Sequence, residues 1–118
     1  MKISVLVASL LMMAAVVSTT TAHSSKAEER TIVGYITDSM CGLDHSAMKM
    51  GDDRECTIKC VEGGAKFALA DRAHKAVYVL DDAAQQKARE LAGQKVKITG
   101  QIDAKAKSIV VTKIESAK

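Results

Sequence analysis

The chain has no proline and no tryptophan, and its aromatics are two tyrosines and one phenylalanine. Without proline there is no cis-proline turn and no polyproline segment. Tyr35, Phe67 and Tyr78 barely supply a core, so they do not make the exposed stacking platforms on which single-stranded nucleic acids lie. An excess of one charge is missing too. In the whole chain 17 basic residues stand against 14 acidic ones, scattered without a block of like charges. So balanced a domain is not expected to bind nucleic acid or an anionic membrane. The G-x-S-x-G, H-E-x-x-H and P-loop patterns are absent. The acid pairs Asp52-Asp53 and Asp81-Asp82 stand where helices begin, and the helix dipole and cap account for them. The expected role is binding, not catalysis.

Only one long apolar run occurs, Ile3 to Val17, and it is short for a membrane span, which needs about 20 residues. Lys2 precedes it, and Ser18 to Thr21 and then Ala22 follow. This is the charged, apolar and small-residue pattern of a secretory signal peptide, expected over residues 1–22. A cut after Ala27 and an uncleaved anchor are the alternatives. Export implies a periplasmic or secreted protein, free of the membrane after cleavage, in an oxidising compartment. Residues 23–30 (HSSKAEER) are polar and aperiodic and read as a flexible leader. Residues 31–118 then form a single small domain.

Within that domain, residues 31–38 (TIVGYITD) are β-branched and read as a strand, with Gly34 marking a bulge or a close backbone approach. Residues 39–53 read as a loop. Asp52 or Asp53 caps a short helix, RECTIKCVE, that stops at Gly63-Gly64. Residues 65–70 and 76–80 make a hairpin about the turn 71–75, with Phe67 and Leu69 on one face. Asp81-Asp82 caps a second helix with Ala84, Ala88 and Leu91 on one stripe. Residues 95–102 (KVKITGQI) alternate, placing Val96, Ile98 and Ile102 on one side. A turn at 103–107 leads to a last strand, 108–114. The fold expected is mainly β: a five-stranded OB-like barrel with a short Cys-bearing helix after strand 1 and a helix between strands 3 and 4. Closure also removes the open edges of a flat sheet. The alternative is an open antiparallel sheet with one helix packed on it.

All three cysteines lie between residues 38 and 60, where the sequence reads DSMCGLDHSAMKMGDDRECTIKC. Cys41-x3-His45 and Cys56-x3-Cys60 form two pairs at the short spacings used by structural zinc, which often takes Cys3His. On a helix, Cys56 and Cys60 share a face. Met40, Met48 and Met50 add thioethers, which favour Cu(I) over zinc; their other reading is gap-filling. The metal set expected is Cys41, His45, Cys56 and Cys60, with zinc or copper as the ion. Asp38 and Asp44 are either second partners of His45 or simple caps. His23, if it becomes the first residue, offers an amine and an imidazole to Cu(II). His74, in the hairpin turn, reads as a solvated turn residue.

Two other readings of the cluster stand beside metal. A disulfide from Cys41 to Cys56 or Cys60 closes a loop worth about 3 kcal/mol in the chain-entropy model and leaves one thiol over. In that case the domain is structural, with an unknown small ligand or protein on its barrel face. The third reading is thiol redox chemistry, with Cys56, beside Arg54 near a helix start, as the attacking thiol.

The stretches GYITDSMCG (34–42), CTIKCVEGGAKFAL (56–69) and VKITG (96–100) resemble a group of small exported bacterial proteins. In that group G-Y-[IV]-[ST]-D-x-x-C-G is followed by a histidine, then C-x3-C-V and G-A-K-[YF]. The resemblance spans nearly the whole of residues 31–118. It implies an OB-like fold and no particular activity.

Overall fold

The structure is a computed structural model that describes residues 27–44 and 51–117. The expected signal peptide and His23, His45, Met48 and Met50 lie outside the described residues. The elements run β1 (Glu28–Asp38), α1 (Asp53–Glu62), β2 (Phe67–Asp71), β3 (Ala76–Leu80), α2 (Asp82–Glu90), β4 (Lys95–Asp103) and β5 (Ser108–Ser116). The strands close into a barrel in the order β1-β2-β3-β5-β4. This is the expected OB-like barrel, with α1 after the first strand and α2 between the third and fourth.

Four of the five seams are antiparallel. The fifth joins β3 to β5 in parallel over two residue pairs, Val79 with Ser108 and Leu80 with Ile109. The interior is filled by alternate residues of the strands, among them Ile36, Leu69, Leu80, Val96, Ile98 and Ile109. Burying each such side chain fully stabilises the fold by roughly 1.5–3 kcal/mol. β4 shows the alternation most clearly: Lys95 and Lys97 are exposed, while Val96, Ile98 and Ile102 are buried. Two glycines allow strands to meet closely. A Cβ at Gly34 would collide with the carbonyl oxygen of Ala70, and one at Gly100 with that of Val110.

β1 begins at Glu28 and not at Thr31. Glu28, Glu29 and Arg30 have no apolar period, but they pair with Ile102, Gln101 and Gly100 of β4. Backbone pairing to a neighbouring strand thus takes them out of the expected leader. β2 departs from simple alternation, because all five of its residues are buried.

α2 lays Ala84 and Ala88 on the core, with Ala92 just beyond its end. The Gln85 side chain ties this helix to the barrel. Its Oε1 accepts from Phe67 N at 2.7 Å, and its Nε2 donates to the carbonyls of Phe67 and Leu80. α1 is fastened in turn to the end of α2. Arg54 donates to the carbonyl oxygens of Glu90 and Ala92, where the last carbonyls of a helix lack partners within it. Arg89 of α2 pairs with Glu62 of α1 at 2.9 Å. The Cys-bearing helix is therefore tied at both of its ends to α2 and the turn that follows it.

Candidate functional site

Cys41 sits in the turn that follows β1. The turn is built by Asp38, whose Oδ1 accepts the backbone N–H of Met40 at 2.9 Å and of Cys41 at 2.8 Å. Thr37 Oγ1 donates to the carbonyl of Gly42 at 2.7 Å. Gly42 lies at φ +60°, a left-handed conformation that suits glycine. Ser39 closes the other side: its N–H donates to Lys66 O, and its Oγ accepts from Lys66 N. The short polar residues around Cys41 thus hold its backbone in place.

Cys56 and Cys60 come from α1. Asp52 caps the helix by accepting Glu55 N at 2.9 Å, the role expected for one of the two aspartates there. One turn apart, the two cysteines point inward with exposures of 1% and 4%. The three sulfurs of Cys41, Cys56 and Cys60 all lie within 4.8 Å of one another. Cys41 and Cys60 are the pair in direct contact, at 3.6 Å.

These separations suit a single ion. With a zinc–sulfur bond of about 2.3 Å, tetrahedral geometry puts two bound sulfurs about 3.8 Å apart. The expected bridge from Cys41 to Cys56 or Cys60 is not formed, and all three cysteines are free thiols. At 3.6 Å the Cys41 and Cys60 sulfurs stand well beyond the roughly 2.05 Å of a disulfide.

Burial pushes the Cys41 thiol up to about 12 from its ordinary 9.0, and the hydrogen bond to Cys60 and the charge of Asp38 add to this. Cys60 is raised as well, first by burial and then by Asp38, while its hydrogen bond with Cys41 pulls the other way. Taken out of water beside a carboxylate, a thiolate is disfavoured unless a cation accompanies it. Metal ions bind cysteine as thiolate, so ion and proton compete for these sulfurs.

The expected attacking thiol is misplaced. Cys56 is 1% exposed, and the Arg54 guanidinium is turned to the carbonyls of Glu90 and Ala92. Cys41, only partly buried, is the sulfur that solvent reaches most readily. Met40 beside it is 67% exposed. Asp38 acts as the builder of the turn, a role its position two and three residues before the bonded N–H groups makes intelligible. His74 lies far along the chain from the cysteines, its side chain 80% exposed and its Nδ1 held by Asp71 Oδ2 at 2.7 Å.

No family model, curated protein or solved structure matches the chain.

Proposed function

We propose that this is an exported metal-binding domain in which Cys41, Cys56 and Cys60, with His45 as fourth ligand, hold one zinc or copper ion. The observation that carries the reading is the gathering of three sulfurs within 4.8 Å from two separate segments of the chain. His45 stands four residues after Cys41 in the sequence, a spacing at which it could complete the set. Four protein ligands leave no open position, so the role is to bind and hold the ion, not to activate a substrate. Zinc suits the closed Cys3His set. Cu(I) needs only the three soft sulfurs, and the exposed Met40 thioether beside them fits a soft ion.

A second reading is favoured by the 3.6 Å contact of Cys41 with Cys60. On oxidation these two form the bridge, and the domain becomes a disulfide-pinned structural unit with Cys56 left as a buried thiol.

Native mass spectrometry of the protein purified from an oxidising compartment decides between them. An added zinc or copper mass with three free thiols after denaturation supports the metal site. A mass lower by two hydrogens, with no ion, supports the bridge and removes the metal reading. His45→Ala then separates the ions: zinc retention falls, whereas Cu(I) held by three sulfurs persists.

A further inference from the structure

The barrel wall is incomplete on one side. β1 pairs with β4 from Glu28 onward, but with β2 only from Tyr35 onward. Gly34 marks the point of divergence, where β1 passes close against Ala70. Between the first half of β1 and the β2–β3 turn lies an open cleft of about 570 Å³. That volume falls within the range of small-molecule sites. The cleft lies at the start of β1, whereas the cysteine cluster lies beyond its end, so the two are independent.

The lining has two characters. Ile32, Val33, Tyr78 and Ala104 give an apolar wall, and Arg30, Asp71 and His74 supply the charge and the ring nitrogens. Asp71 is the only acid among the lining residues, and its side chain is 7% exposed. It accepts the backbone N–H of His74 at 3.2 Å and His74 Nδ1 at 2.7 Å. Its charge is therefore turned on the histidine and not on the cleft. A neutral histidine that gives Nδ1–H to a carboxylate keeps Nε2 as an acceptor, which suits a donor and not a second carboxylate. Among the described residues the ion-pair partner of Arg30 is an exposed Glu28 at 4.0 Å, a contact worth little in water. Among the described lining residues a cation finds no carboxylate without a partner, while an anion finds the Arg30 guanidinium beside an apolar wall.

We propose that the cleft binds a small organic carboxylate, its carboxylate on Arg30 and its apolar body against Ile32, Val33 and Tyr78. A planar guanidinium meets a carboxylate with two parallel hydrogen bonds, which sets the orientation of the bound molecule. The body then covers the apolar residues that the gap between β1 and β2 leaves in reach of solvent.

The test is a titration of the isotope-labelled full domain with phenylpropionate, followed through its backbone amide signals. The expected result is saturable shifts confined to residues 30–33, 71–74, 78 and 104. Arg30→Gln should weaken binding about tenfold. Ala104→Trp, at an exposed position of the lining, should abolish it by filling the cleft. If the tryptophan variant does not fold, Arg30→Gln, on the exposed start of β1, decides alone. Binding of the neutral phenylpropionamide as tight as that of the acid overturns the proposal. So does an unchanged affinity in Arg30→Gln, competition by inorganic phosphate at equal strength, or the absence of saturable shifts.

Discussion

The carboxylate of Asp38 accepts the backbone N–H of Cys41 at 2.8 Å, and the same negative charge stands against ionisation of the Cys41 thiol. One residue thus places the sulfur and adds to the burial that disfavours its thiolate. Asp38→Asn retains an oxygen acceptor and removes the charge. The Cys41 pKa should fall in this variant but stay above its ordinary value, because burial and not Asp38 is the largest cause of the shift. Asp38→Ala should also lose both turn hydrogen bonds, at a cost of about 1–3 kcal/mol. Thiolate absorbance against pH and urea midpoints check the two outcomes.

Stability of the reduced, ion-free protein should depend on alkaline pH in a definite direction. The unfolded Cys41 thiol loses its proton near its ordinary 9.0, and the folded one holds it to about 12. Between those values the unfolded chain binds fewer protons, so stability falls as pH rises through the window and is fully retained below it. Cys60 acts in the same direction. Urea midpoints measured with reductant and chelator present should drop across this range, and the drop should shrink in Cys41→Ala. An equal drop in both proteins would sink this assignment.

Ion binding should be visible as thermal stabilisation. Zinc at about a hundred times its dissociation constant adds about 2.7 kcal/mol by mass action. For a domain of this size that raises Tm by roughly 10–20 °C. Cys41→Ser and Cys60→Ser should each lose most of the rise, since their sulfurs belong to the cluster. Calorimetry with and without chelator measures it, and a wild-type Tm indifferent to zinc and to Cu(I) would count against a metal site.

Gln85→Ala should destabilise the fold by about 2 kcal/mol, a large cost for a substitution by a good helix former. The amide makes three hydrogen bonds, to Phe67 N, Phe67 O and Leu80 O. Removing it strands these backbone groups where β2 and β3 meet α2. Chemical denaturation gives the value, and a change under about half a kcal/mol would show that water replaces the amide.

Much of this architecture is legible in local pattern. The alternation of Lys95 to Ile102 marks a half-buried strand, Asp52 marks a helix start, and the spacing of Cys56 and Cys60 puts both on one helical face. Other features depend on partners distant in sequence. Glu28 to Arg30 look like leader until β4 pairs with them. Gln85 looks like a solvent-facing helix residue until the β2 and β3 backbones are beside it. The neighbourhood of Cys41 and Cys60 depends on how the chain folds back between them, and spacing leaves their pairing open. Arg54 follows the same rule: adjacency in sequence sets its charge beside Cys56, while the fold offers it the carbonyls of Glu90 and Ala92.

The parallel seam between β3 and β5 has a mechanical consequence. It spans two residue pairs, whereas β4 meets each of its neighbours over eight. The barrel is thus a rolled sheet fastened by a short clasp, reinforced by Val79 N bonding Lys107 O and Asp81 N bonding Ile109 O. Unrolling begins where the fastening is least, so amide exchange at Val79 and Asp81 should outpace exchange along the middle of β4. The lifetime of the native barrel is then governed at the clasp, whose Asp81 is also the residue from which α2 starts.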